Sequence, residues 1–481
     1  MEQSDIGVYG LGTMGRNLAL DLEEKGFTVS VYNQMAPKEE GTVRSFLENE
    51  GRNKNFIGSY SARYFIQSIK KPRKVLIMVK AGPTVDYVMQ ELRRYLSKGD
   101  ILVDGSNSHY SDTIRRVDKM KSKGYHFVGM GVSWGDKKGV RSGPSLMAGG
   151  DKRGWNTLKP ILETIAAKNP AGEPCCAWLG RDGAGHFAMM VHNGIEYALM
   201  QLLAEAYHTL HTGLSMPDRE IGHTFQSWNE GSLNSYLLDI TCDIINNRGA
   251  KGNSVPGSVP DVSVQQDRGR QAALAALELG VPAPLMSAAV YAQVLTGFKV
   301  LREEASATWP SVSPERLGGR HPILQSLRQA LLASSLVAYA EGFSMLKAAD
   351  REWGWEIPLS AAARIWQGGS VIRSALLQPV AGTFREAPNL SNLMLAPVFR
   401  KYFAGSHEGW RQLISRSAEH GIPVPGMSAA LGYFDMLRSR QLPTSLIQAQ
   451  RDYIGAHACE RPGHHMDALS RPDRKETASS S

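Results

Sequence analysis

The chain has 481 residues, 42% of them hydrophobic, and a formal charge of +8. That length and apolar content are enough for two or three domains with large cores, while the modest, dispersed positive charge suits an anionic cofactor and offers nucleic acid no basic block. No apolar run approaches a bilayer span, strand-like residues 5–10 leave no room for a secretory leader, and four cysteines without CxxC spacing argue against zinc or a disulfide framework, so a cytoplasmic protein is expected.

In chain order, apolar β-rich runs at 5–10, 28–33, 74–79, 101–106 and 126–133 alternate with helical patterns. That alternation predicts a parallel α/β sheet. Gly10-Leu11-Gly12-Thr13-Met14-Gly15 follows the first strand and opens a helix expected over 16–25. In that context GxGxxG is a dinucleotide signal: the first glycine permits the turn, the second admits the pyrophosphate, and the third lets the helix pack closely. The second strand ends at Asn33-Gln34-Met35, the place from which a Rossmann domain reads the adenosine ribose. Clusters such as Lys70-Lys71-Pro72-Arg73-Lys74 read as solvated faces.

After about residue 180 the pattern changes to long amphipathic stretches rich in Ala, Leu and Met, which predict a large helical domain up to about residue 437. Residues 305–320, with two prolines and paired glycines, read as a surface loop. From 461 onward the chain lacks the apolar content to fold alone. The expected class is therefore α/β plus all-α, with a Rossmann-like domain at 1–180, a helical domain at 181–440 and a tail at 441–481.

The segment from Gly183 to Tyr197 places Met189, His192, Asn193, Glu196 and Tyr197 on one face of a long apolar helix. Such residues can simply satisfy nearby backbone groups, but four polar side chains on an apolar helix are costly to bury unless something, such as a ligand, pairs with them.

This motif closely resembles that of the decarboxylating 6-phosphogluconate dehydrogenases. The likeness extends from Gly10 to His457, including 143–147, 172–176 and 446–457. It implies a Rossmann-like domain, an all-helical domain around a long central helix, and a tail reaching into a partner subunit's active site, hence a homodimer. It also implies that Val79, Lys80 and Ala81 lie beside the dinucleotide and Asn107 beside nicotinamide and substrate. By the same likeness, the position of Met189 holds a lysine base in the family, and Gln34 stands where an arginine grips the 2′-phosphate of NADP. NAD is therefore the expected cofactor, with NADP possible if another cation compensates.

Further departures fall on the substrate side. Trp134, in Ser133-Trp134-Gly135, stands at a family glycine and is expected to fill the pocket or offer a stacking platform; Gln266 and Gln293 stand at a phosphate-binding lysine and arginine; Arg268 stands at a threonine. Arg451 and His457 match the family's tail. These replacements remove cations on which phosphate recognition normally rests. Ser133, His192, Asn193 and Glu196 remain as the candidate catalytic set, with His192 as the replacement base. The leading expectation is an NAD-dependent enzyme redirected to an unphosphorylated polyol or nucleoside, abstracting hydride transiently and eliminating water as a dehydratase. Two alternatives stay open: a conventional NAD(P)-dependent oxidoreductase that oxidatively decarboxylates a hydroxy acid, and a non-catalytic dinucleotide-binding homologue. No motif supports a nucleic-acid or membrane role.

Overall fold

The computed structural model describes residues 3–33, 41–135, 142–247, 267–309 and 317–454. Its first part is an eight-stranded sheet in the order β3-β2-β1-β4-β5-β6-β7-β8, built from β1 (Ile6–Tyr9), β2 (Val29–Tyr32), β3 (Phe56–Gly58), β4 (Lys74–Ile77), β5 (Ile101–Asp104), β6 (His126–Ser133), β7 (Ser145–Gly150) and β8 (Cys176–Trp178). Neighbouring strands are parallel except β6 and β7. The connecting helices are α1 (Thr13–Glu24), α2 (Thr42–Glu48), α3 (Ala62–Gln67), α4 (Pro83–Leu92), α5 (Tyr110–Lys121) and α6 (Lys152–Ile165). Strand order reverses between β1 and β4, which opens a crevice at the carboxyl ends of those strands.

All five strands expected from the sequence form, and three more join them. β3 and β8 have three residues each, too short for an alternation to register, and β7 ends in two glycines. Helix α1 starts at Thr13, three residues before the expected Arg16, because Gly12 already occupies its N-cap.

The helical part comprises α7 (Ala184–His208), continued by a π-helical turn at Thr209–Gly213, then α8 (Asp218–Trp228), α9 (Tyr236–Asn246), α10 (Asp267–Glu278), α11 (Pro284–Thr296), α12 (Lys299–Thr308), α13 (Arg320–Trp353), α14 (Leu359–Ile365), α15 (Leu377–Glu386), α16 (Pro397–Ala404) and α17 (His407–Glu419). Because α12 runs to Thr308 and α13 starts at Arg320, the loop expected over 305–320 is helical at both margins. Residues 431–481 form a second compact unit, containing the end of α18 (Pro425–Arg438) and α19 (Thr444–Tyr453). Among the described residues, no single helix is long and apolar enough to cross a membrane.

Two features position α7. Its first twelve residues, Ala184 to Ile195, are all buried, so it is enclosed on every side. It lies directly on β6 and β7 through glycines: an added Cβ at Gly131 would fall 3.0 Å from Met189 Cγ, and one at Gly185 would meet the carbonyl oxygens of Gly129 and Met147. Buried carboxylates then tie the helical part together. Glu205 of α7 accepts the Gly426 and Met427 amides at 2.7 and 3.0 Å, and Glu341 of α13 accepts those of Leu285 and Met286 at 2.9 and 3.0 Å. Each caps a helix start whose amides would otherwise be unsatisfied.

Candidate active site

A cleft of about 860 Å³ lies at the carboxyl ends of β1, β2, β4 and β5. Gly10, Gly12, Thr13, Met14, Gly15, Asn33, Val79, Lys80, Ala81 and Asn107, all expected from the sequence to bind the cofactor, are among the residues that line it. Leu11 does not; it is buried, and its amide donates to Asn33 Oδ1 at 2.9 Å, fixing the turn from behind. Gln34 and Met35 lie outside the described residues.

The glycines divide the work by what surrounds them. Gly10 has φ of +102° and faces the Met78 carbonyl, so the turn tolerates no side chain; around a Cβ at Gly12, by contrast, no atom of the described residues lies within 4 Å. That open space is where a pyrophosphate approaches the backbone, and no side chain caps the α1 start behind it. The residues therefore fit a dinucleotide.

Asn107 joins this cleft to the second half of the site. Held at φ of +53°, it accepts the Val132 amide on Oδ1 at 3.1 Å, next to Ser133. Ser133 is buried, and its Oγ lies 3.0 Å from His192 Nε2; Ser370 Oγ reaches the same nitrogen at 2.9 Å. Both hydroxyl oxygens also accept backbone amides, from Val371 at 3.3 Å and Ile372 at 3.2 Å. On the other side of the ring, Nδ1 lies 3.3 Å from Asn193 Oδ1 and 3.8 Å from Glu196 Oε2. Burial pushes the His192 pKa down to about 4, with the Arg268 charge adding to that shift and the Asn193 contact opposing it. The ring is therefore neutral, with Nε2 within hydrogen-bond reach of two serine hydroxyls.

Burial shifts Glu196 the other way, raising its pKa so that the carboxyl holds its proton further toward neutral pH; the Arg268 charge opposes this. A carboxyl of raised pKa and a neutral, hydrogen-bonded imidazole therefore sit one helical turn apart.

Met189 is buried against Gly131. Tyr197 packs on Gly269 of α10, and the next residue back, Arg268, lines the cleft. Trp134 is half-buried against the apolar core of the sheet domain and is not among the residues lining the dinucleotide cleft; its neighbour Gly135 donates to the Gly369 carbonyl at 2.9 Å. Gln293 lies on α11, away from the cleft lining. Arg451 is on α19 in the second compact unit, while Gln266 and His457 fall outside the described residues. Sequence reasoning missed Ser370, which is 178 positions from His192 in a loop with no catalytic motif.

Residues 5–180 match the model for the NAD binding domain of 6-phosphogluconate dehydrogenase, and residues 185–469 match that for the 6-phosphogluconate dehydrogenase C-terminal domain. The chain belongs to the 6-phosphogluconate dehydrogenase family. It is 42% identical to the decarboxylating 6-phosphogluconate dehydrogenase of Schizosaccharomyces pombe, over 95% of this chain and 92% of that one. The Escherichia coli enzyme of the same name is 41% identical, over 96% and 97%. A solved Plasmodium falciparum 6-phosphogluconate dehydrogenase, studied apo, with NADP+ and with 6-phosphogluconate, superposes with a TM-score of 0.92 at 34% identity, covering 97% of this chain and all of that one. The N-terminal domain is accordingly an NAD(P)-binding domain and the chain an enzyme of an NAD(P)-dependent oxidoreductase family. These findings overturn the expectation of a redox-neutral dehydratase or lyase for an unphosphorylated polyol or nucleoside, since full-length relatives at this identity are decarboxylating dehydrogenases.

Proposed function

We propose that this chain is an NAD(P)-dependent dehydrogenase that oxidatively decarboxylates a sugar acid of the 6-phosphogluconate type. The observation that carries this reading is likeness to decarboxylating dehydrogenases over almost the whole of both chains, joined to an open dinucleotide cleft. A bound dinucleotide supplies the hydride acceptor. Ser133 Oγ takes the proton of the substrate hydroxyl as its own passes to His192 Nε2, 3.0 Å away. The resulting β-keto acid loses CO2, and Glu196, whose pKa burial raises, returns a proton to the enediol carbon. Arg268 at the cleft wall supplies the cation for the substrate's anionic end.

Met189 takes the place of the family's lysine base, and a thioether accepts no proton. With only the weakly basic His192 behind Ser133, proton removal limits turnover. Met189→Lys places an amine in a buried site that lowers its pKa toward neutral. It is expected to raise NADP-linked oxidation of 6-phosphogluconate by about 10²-fold or more, measured as NADPH absorbance with CO2 release. No gain in a variant that still binds dinucleotide would refute the assignment.

The exposed Tyr291, Leu295, Phe298 and Leu301 on and between α11 and α12 favour a homodimer that covers them. Sedimentation as a monomer at micromolar concentration would exclude it.

A further inference from the structure

The Arg116 side chain on α5 is fully buried inside the sheet domain, where an unpaired charge is very costly. Nη1 donates to the Asp104 carboxylate at 3.1 Å and to Ser108 Oγ at 2.9 Å, and Nη2 donates to the Gly82 carbonyl and the Asp86 carboxylate, both at 2.8 Å. Gly82 ends the 79–82 loop after β4 and Asp86 lies in the first turn of α4 that follows it, while Asp104 ends β5 and Ser108 belongs to the loop after it; both loops wall the cleft. Asp104 in turn accepts the Ser106 amide at 3.0 Å and the Ser108 hydroxyl at 2.7 Å, which shapes the turn that holds Asn107 at positive φ. Hydrogen bonds from Arg115 and Arg116 outweigh partial burial and hold the Asp86 carboxyl well below its usual range, so this corner stays ionised.

A buried ion pair is a poor way to gain stability, because an apolar side chain of similar volume fills such a space as well. Its planar, forked donors do what an apolar group cannot, holding two separate backbone segments at a set distance. We propose that Arg116 is a positioning residue of the cofactor site, clamping the 79–82 and 104–108 loops together so that the cleft's nicotinamide half, with Asn107, is preorganised. The GxGxxG turn and Asn33, which face the adenosine half, are not held by it. The inference rests on the dinucleotide-binding reading of the cleft.

The test is isothermal titration of the full-length protein with NADP+, NAD+ and ADP, the last probing the adenosine half alone. In Arg116→Lys, which keeps the charge but loses the fork, dinucleotide affinity is expected to fall about tenfold while ADP affinity stays within about twofold. Parallel weakening of dinucleotide and ADP, or no weakening of either, overturns the proposal, because a merely structural role predicts one of those results. If Arg116→Lys does not fold, Asp86→Asn releases the clamp from its half-buried side and is read with the same ligands; a smaller selective loss is expected, and an unselective one or none overturns the proposal. Wild-type protein that binds ADP and dinucleotide establishes the cofactor reading independently of the variants, and failure to bind any of the three refutes that reading and this inference with it.

Discussion

Gly131→Ala tests whether the close seating of α7 on β6 holds the site together. The new Cβ would fall within contact of Met189 Cβ, 3.0 Å from its Cγ and 3.2 Å from the Gly185 carbonyl oxygen, where ordinary contacts begin at 3.4 Å. Two of those obstacles are a Cβ and a backbone oxygen of α7, so rotating a side chain does not relieve the clash; the helix itself has to move by roughly 0.5–1 Å, at an overpacking cost of about 1–3 kcal/mol. The same movement stretches the Ser133–His192 hydrogen bond, now 3.0 Å, toward the limit of a useful contact. Misplacement on that scale is expected to lower kcat by about 10- to 100-fold. Urea unfolding should show a lower midpoint with an unchanged slope, and steady-state kinetics with saturating dinucleotide should show the rate loss. Stability within about 0.5 kcal/mol of wild type together with an unchanged kcat would show that α7 slides freely on the sheet, and the reasoning would be wrong.

Gly12→Ala is expected to behave in the opposite way. The residue sits at φ −67° in extended backbone with no atom of the described residues within 4 Å of a Cβ, so the melting temperature should not move, while the added methyl intrudes on the pyrophosphate path and weakens dinucleotide binding by about tenfold in titration calorimetry. Glu341→Gln addresses stability against pH. Burial raises this carboxyl from its ordinary value of 4.5 to about 8, with the Met286 and Leu285 amides opposing the shift, so the native state binds its proton more tightly than the unfolded chain. Its contribution is full below pH 4.5 and is lost as pH rises toward 8, a swing of a few kcal/mol at about 1.4 kcal/mol per pH unit. Melting curves from pH 5 to 8.5 should therefore slope downward less steeply in the Gln variant, and identical slopes would refute the assignment.

The dinucleotide cleft was legible in the sequence because its parts are local. GxGxxG sets the turn and the helix start within six residues, and the loops after β4 and β5 follow directly from their strands. The polar face of α7 was legible for the same reason, since helical spacing alone places Met189, His192, Asn193 and Glu196 together. The protonation of His192 was not legible. Its residue type makes it a base near neutrality, but the fold brings Ser370 from 178 positions away onto Nε2 and buries the ring. The packing of Trp134 against the sheet core was not legible either, because it depends on residues brought from elsewhere in the chain. The sequence by itself determined the five longer-patterned strands, the change from α/β to helical architecture, the family and which side chains can share a helix face, because turn chemistry and periodicity act over a few residues. Only the tertiary structure decided which groups are charged and how Arg116 ties two loops together, because desolvation and hydrogen bonding depend on neighbours that packing brings from far along the chain.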